Sequence, residues 1–185
     1  MTVAGAARSG IAAAELLAHR GAAVTLSDLR PAVDETRSLQ ALGVQVELGG
    51  HVPATFTGAD LVVVSPGVPP DQQAVEAARA RGVPVIGEVE LASRWLLGRV
   101  IAITGTKGKS TTTALTGRML EASGFKVTVG GNIGQPLSAQ VDESTPETLH
   151  VGAYLFLAAR DGRQAIGWRI EDDGSVTMRA LVPDT

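Results

Sequence analysis

The chain has 185 residues, 44% hydrophobic and 19% charged, with a formal net charge of −3. That balance suits a compact protein of one or two domains; no basic stripe points to nucleic acid, and no apolar run is long enough to span a membrane. The lack of cysteine excludes disulfides and thiolate metal sites, and no signal-peptide pattern opens the chain, so a cytoplasmic monomer is the working expectation.

A first strand is predicted at Thr2–Ala4. Gly5-Ala-Ala-Arg8-Ser9-Gly10 then leads into a helix over about 9–20 that Gly21 stops. A second strand over 22–27 ends at Asp28-Leu29-Arg30. A strand, a glycine turn, a helix and an acid about 20 residues on form a βαβ half of nucleotide-binding type. As a dinucleotide fingerprint it is weak, because Ala7 stands at the middle glycine position. The shape does not choose between NAD and another diphosphate.

A helix over 33–42, closed by Gly43, and a strand over 44–48 follow, then the turn Gly49-Gly50-His51. His51 has no acid or metal partner in the sequence pattern and reads as a loop histidine. Asp60–Val64 has buried-strand character and runs into Ser65-Pro66-Gly67. Past the carboxyl end of a parallel strand, that loop lies where ligands bind; Ser65 and the Gly67 backbone are candidate phosphate or sugar contacts, and a proline-stiffened turn is the alternative. A helix over 71–81, a strand over 83–86 and a helix over 88–96 with Val89, Ala92 and Trp95 or Leu96 inward complete a first unit. Gly98-Arg99 marks the predicted boundary, giving domains 1–97 and 98–185.

The second unit opens on Val100–Thr104, a β-branched run of buried-strand type, followed by Gly105-Thr106-Lys107-Gly108 and by Lys109-Ser110-Thr111 at the head of a helix. Leu115, Met119 and Ala122 share one face of that helix. Glycines let backbone amides approach phosphate oxygens, and a helix start adds unpaired amides and a positive dipole end. Lys109 has the reach for β/γ-phosphates and Ser110 the hydroxyl for Mg²⁺. The common phosphate loop keeps four residues between its glycines; here there are two, Thr106 and Lys107. An ATP or GTP site is the expectation.

Beyond that helix, Ser123-Gly124 is a stop, 126–129 a strand, and Gly130-Gly131-Asn132-Ile133-Gly134 a further glycine turn past a strand end, where the Asn132 amide is either a ligand contact or a left-handed turn residue. Residues 136–141 suit a short helix and 142–147 an exposed polar loop. Three short strands are predicted at 154–158, 164–170 and 175–180, with turns at Asp161-Gly162 and Asp173-Gly174.

Six motifs in order, Gly5…Gly10, Asp28-x-Arg30, Ser65-Pro66-Gly67, Gly87-Glu88-Val89-Glu90-Leu91, Gly105–Thr111 and Gly130–Gly134, closely resemble the Mur ligases of peptidoglycan synthesis. The Glu-Val-Glu-Leu and Gly-Gly-Asn-Ile-Gly runs resemble the D-glutamate-adding branch. The resemblance covers about residues 1–150. It implies an α/β chain with a Rossmann-like N-terminal parallel-sheet domain followed by part of a P-loop ATPase-type central domain. It implies ATP and Mg²⁺, the substrates UDP-N-acetylmuramoyl-L-alanine and D-glutamate, and amide formation through an acyl phosphate.

By matched position, Arg8, Ser9, Asp28, Arg30, Ser65, Pro66, Gly67 and Asn132 would bind the UDP substrate. Gly105, Thr106, Lys107, Gly108, Lys109, Ser110 and Thr111 would bind ATP, with Lys109 catalytic and Ser110 on the metal. Two departures stand out. Lys107 occupies a position where the family usually has asparagine. Leu149-His150-Val151 continues into Gly152-Ala153-Tyr154 and not into Glu-Leu-Ser-Ser, which carries a magnesium-ligating glutamate in the family; the family's later histidine and carbamylated lysine are missing as well. A segment omitted near 150–152 and an absent C-terminal domain would explain this. The rival readings are a nucleotide- or UDP-sugar-binding fragment without catalysis, and an NAD-dependent oxidoreductase.

Overall fold

The computed structural model describes residues 1–69, 71–104, 107–131 and 134–153, together with the backbone of strands at 165–170 and 176–181. The chain divides into two compact units, Met1–Ala92 and Ser93–Thr185. Both are α/β, and each is built on a five-stranded sheet.

In the first unit β1 (Thr2–Ala4), β2 (Thr25–Asp28), β3 (Gln45–Leu48), β4 (Val62–Val64) and β5 (Val85–Gly87) alternate with α1 (Arg8–His19), α2 (Thr36–Ala41), α3 (Pro53–Thr57) and α4 (Gln73–Ala80). All neighbouring strands are parallel, in the order β3-β2-β1-β4-β5. The chain winds outward from β1 to β3, then crosses back to place β4 on the other side of β1. That reversal opens a crevice at the carboxyl ends of β1 and β4, where this fold class binds ligands.

Parallel strands covered on both faces read as apolar runs, and Val3, Ala4, Leu26, Val62 and Val63 are buried accordingly. Phe56 on α3 is fully buried against Ala4, Val62, Ala74, Val75 and Ala78. Helix ends follow one device. Gly21, at φ +80°, lets the Ala22 amide bond back to Leu17, satisfying a carbonyl the helix leaves open; the same bond pattern closes α2, α4 and α6.

Three expectations shift here. The predicted helix 33–42 contracts to Thr36–Ala41, with Thr36 Oγ1 donating to the Val33 carbonyl at 2.8 Å. Helix α3, with Pro53 in its first turn, was hidden in the 51–58 stretch. Helix α5 (Glu88–Ser93) is shorter than 88–96; its buried apolar residues are Leu91 and the expected Ala92, Val89 is half-buried, and beyond the helix Leu96 is buried and Trp95 half-buried.

The second unit holds β6 (Arg99–Thr104), α6 (Lys109–Ala122), β7 (Lys126–Gly131), a 3₁₀ turn (Leu137–Gln140), β8 (Thr148–Ala153), β9 (Ala165–Ile170) and β10 (Val176–Leu181). The strand order is β10-β9-β6-β8-β7, parallel except for the β9–β10 pair. β6 is central, so the loop that leaves it again lies at the reversal of strand order. Strand β8 is buried along its whole length and runs unbroken through 150–152, in register with β6 and β7. The predicted strand at 154–158 lies outside the described residues.

Leu115, Met119 and Ala122 do share a face of α6, but that face is outward. The inward positions are Thr113 and Gly117. A Cβ on Gly117 would stand 2.5 Å from Val129 Cγ2, so the helix lies tight over β7 and has no room for large side chains there.

Candidate functional site

The glycine turn of the first unit is built from bonds that cross between strands. Gly5 leaves β1 at φ +90°, and its amide donates to the Ser27 carbonyl at 2.8 Å. The next amide, of Ala6, donates to Asp28 Oδ2 at 2.5 Å. Helix α1 begins at Arg8 behind Ala7, which offers no side-chain cap, leaving its first amides to another acceptor. A Cβ on Gly10 would lie 1.7 Å from the Gly5 carbonyl oxygen and 2.6 Å from Ser65 Oγ. Position 10 therefore admits only glycine, whereas the alanine at position 7 is exposed and tolerated.

Asp28 is 7% exposed and receives four hydrogen bonds. Besides Ala6, the Arg30 amide and Nε donate to Oδ1 at 2.8 and 2.9 Å, and Arg30 Nη2 donates to Oδ2 at 3.1 Å. Burial pushes the carboxyl up, but the Arg30 hydrogen bond and charge, with the Ala6 and Arg30 amides, outweigh it and hold the pKa at about 2. The carboxylate thus fixes the turn and orients Arg30, whose side chain stays 54% exposed and available to an outside anion.

Ser65 is nearly inaccessible, and its hydroxyl donates to the Gly5 carbonyl at 3.0 Å. That bond props the glycine turn from below. Pro66 and Gly67 are exposed, in a turn closed by the Val68 amide on the Ser65 carbonyl. Arg8 is exposed and Ser9 half-buried in the first turn of α1.

His51 has partners that its sequence context concealed. Nδ1 lies 2.8 Å from Ser27 Oγ, and its ring meets Phe56 edge-on at 5.2 Å. Burial lowers its pKa, against the raising influence of Asp28 and Glu47. The adjoining turn is sewn to the Asp28 segment: the Gly49 and Gly50 amides donate to the Arg30 and Asp28 carbonyls.

In the second unit Gly108 caps α6 in the left-handed region, at φ +76°, and its carbonyl accepts the Thr112 amide at 2.9 Å. Lys107, Ser110 and Thr111 are exposed and Lys109 is half-buried at this helix start. Gly105, Thr106 and Asn132 lie outside the described residues. At the end of β7 the Gly131 amide donates to the Gln135 carbonyl at 3.1 Å. Among the described residues no group of three or more His, Asp and Glu side chains forms a metal cluster. No helix among the described residues is long and apolar enough to cross a membrane.

Known proteins match both units. The family model "Mur ligase MurD-like, N-terminal domain" matches residues 1–87 and "Mur ligase middle domain" matches 103–166. The chain is 55% identical over 149 residues to the UDP-N-acetylmuramoylalanine–D-glutamate ligase of Anaeromyxobacter dehalogenans, covering 79% of this chain and 32% of that one. The like-named protein of Solibacter usitatus is 50% identical over 168 residues, covering 89% of this chain and 37% of that one. The chain thus spans about a third of the length of the curated relatives it matches.

Among solved structures, the UDP-N-acetylmuramate:L-alanyl-gamma-D-glutamyl-meso-diaminopimelate ligase from Neisseria meningitides superposes with a TM-score of 0.52 at 23% identity, over 83% of this chain and 53% of that one. The murein peptide ligase from Psychrobacter arcticus gives 0.52 at 21%, over 83% and 37%. These two share the fold. With both domain models matched in order over most of its length, the chain belongs to the Mur ligase family.

Proposed function

We propose that this chain is the front part of an ATP-dependent ligase that adds D-glutamate to UDP-N-acetylmuramoyl-L-alanine in peptidoglycan synthesis. The observation that carries the reading is the identity of about half over most of this chain to relatives named for that ligase. Domain 1–97 holds the UDP end of the substrate: Arg30, set by Asp28, and Arg8 offer cationic groups, Ser9, Pro66 and Gly67 line the turn region, and Ser65 props it. Domain 98–185 is part of the ATP-binding domain, with Gly105 to Thr111 around the phosphates and Asn132 on the muramoyl portion.

The chemistry explains the cations. The substrate carboxylate attacks the γ-phosphorus of ATP, forming an acyl phosphate and releasing ADP. The amine of D-glutamate then attacks the acyl carbon, loses a proton and expels phosphate. Two anions must meet in the first step, and Lys109 offsets their repulsion where charge shifts during transfer. Lys107 adds a second cation beside it. Mg²⁺, held by Ser110 and the phosphates, supplies further charge neutralisation when bound.

The test is ADP release by the full-length protein, expected only when both UDP-N-acetylmuramoyl-L-alanine and D-glutamate are present. Lys109→Ala should lower turnover by about a hundredfold or more and leave UDP-sugar binding by calorimetry unchanged. Loss of both together would break the division of labour between the two domains. The 185-residue chain by itself spans only about a third of such ligases; on its own it is expected to bind nucleotide and turn nothing over.

A further inference from the structure

His150 on β8 is 1% exposed and has no part in the phosphate chemistry. Its Nε2 lies 2.8 Å from Ser144 Oγ. Its Nδ1 lies 2.8 Å from Thr128 Oγ1 and 3.1 Å from Gln140 Oε1. Ser144 Oγ also accepts the backbone amides of Leu97 and Gly98, both at 3.1 Å.

Counting donors and acceptors fixes the protons. A hydroxyl oxygen has two lone pairs and one hydrogen. The Leu97 and Gly98 amides use both lone pairs of Ser144, so its hydrogen goes to His150 Nε2, which is bare. The imidazole proton therefore sits on Nδ1, aimed at Thr128 Oγ1 and Gln140 Oε1. The other tautomer would load Ser144 with three donors and set a bare Nδ1 against the Gln140 carbonyl oxygen.

Gln140 cannot be turned over to relieve this, because its Nε2 donates to the Gln135 carbonyl at 3.1 Å. That carbonyl also accepts the Gly131 amide at 3.1 Å. The fit is tight: a Cβ on Gly130 would lie 2.0 Å from Gln140 Nε2.

We propose that His150 is a positioning residue: neutral and protonated on Nδ1, it runs a one-way hydrogen-bond chain from the Leu97 and Gly98 amides, which lead into β6, to the Gln135 carbonyl, which also holds the Gly131 amide at the end of β7. The bearing of this chain on substrate rests on the ligase reading above; its existence does not. Protonation of the ring breaks it, since an Nε2–H would compete with the Ser144 hydrogen.

The charged groups on the surrounding elements do not stabilise an imidazolium. β7 contributes Lys126, which together with burial, the larger cause, lowers the His150 pKa. The 3₁₀ turn has no charged side chain, β6 has the exposed Arg99, and the 141–147 loop has Asp142, Glu143 and Glu147, all exposed. Among the described residues no carboxylate hydrogen-bonds to the ring in the contacts that fix its protons.

The experiment is long-range ¹H–¹⁵N spectroscopy of the three imidazoles in the ligand-free 185-residue chain, with His150 assigned by His150→Gln, or by the resonance that Ser144→Ala shifts should the glutamine variant not fold. The expected result is a neutral Nδ1–H form with a midpoint below the ordinary histidine value. Ser144→Ala should shift the population toward Nε2–H and speed exchange of the Leu97 and Gly98 amides about tenfold. Gln140→Leu should do the same for the Gly131 amide. An Nε2–H tautomer, an ordinary midpoint, or Gly131 exchange unchanged by Gln140→Leu would overturn the proposal. Absence of ADP release would sink the ligase reading and leave these spectra as they are.

Discussion

The two units solve the same problem, a glycine turn at the carboxyl edge of a parallel sheet, in different ways. In the first, buried polar groups are committed to the turn itself: Ser65 to the Gly5 carbonyl, Asp28 to the Ala6 amide, and Gly10 to a backbone contact that no side chain permits. In the second, the polar groups at the helix start, Lys107, Ser110 and Thr111, are exposed. Its buried polar network instead centres on His150. On the ligase reading proposed above, a unit that holds one fixed handle gains from being set before the ligand arrives, and one where a phosphoryl group moves gains from side chains able to follow the charge.

The sharpest way to break this contrast is Gly10→Ala. The new Cβ would overlap the Gly5 carbonyl oxygen, and backbone cannot yield as a flexible side-chain end can. A loss of about 3 kcal/mol or more is expected, read as a drop in the urea midpoint at unchanged slope. UDP-sugar binding should fall with it, since β1 and α1 would have to separate. Stability within 0.5 kcal/mol of the parent would mean that the first turn is as yielding as the second.

Which parts of this were legible from sequence follows from what side-chain patterns encode. Apolar β-branched runs marked β1, β4 and β6, and glycines marked the loops after β1 and β6, where Gly5 and Gly108 are left-handed and Gly10 is crowded by backbone; Gly67, after β4, is neither left-handed nor crowded. The direction in which a hydroxyl points has no such signature. Ser65, a candidate ligand contact on its place past a strand end, also holds the Gly5 carbonyl, and His51, without an acid or metal partner in the sequence pattern, bonds the Ser27 hydroxyl.

Helix α6 shows the same limit: the shared face of Leu115, Met119 and Ala122 was legible, its direction was not. Apolar Leu115 and Met119 point outward because the close approach to β7 selects Gly117, not a large residue, for the inner face. Ser144 lay in a stretch read as an exposed loop, yet it is buried and bonded to His150. Thr148, His150 and Gly152 share one face of β8, and which partners meet that face is a tertiary fact.

A second test concerns acid. Asp28 has a folded pKa of about 2 against an ordinary 3.8. A depressed carboxylate contributes stability that is fully present above about pH 4 and lost as pH falls toward 2. Asp28→Asn keeps an acceptor for the Ala6 amide but loses the charge that Arg30 pairs with. It should cost about 1 to 2 kcal/mol at neutral pH, and its stability should be flatter than the parent's between pH 4 and 2. An identical acid limb in both proteins would show that the carboxylate does not carry the turn.

The smallest effect separates two buried hydroxyls that differ only in their company. Ser65→Ala removes the donor to Gly5 and strands a buried carbonyl, so about 1 kcal/mol is lost. Thr113 on α6 is also fully buried, but its Oγ1 has no hydrogen-bond partner among the described residues. Thr113→Val keeps the branched shape and deletes a hydroxyl that was taken from water with nothing in return. The expected change is a gain of about 0.5 kcal/mol, measured by the same urea midpoints. A loss of 1 kcal/mol or more for Thr113→Val would mean that this hydroxyl has a partner after all, and that the second unit props α6 from below much as Ser65 props the first turn.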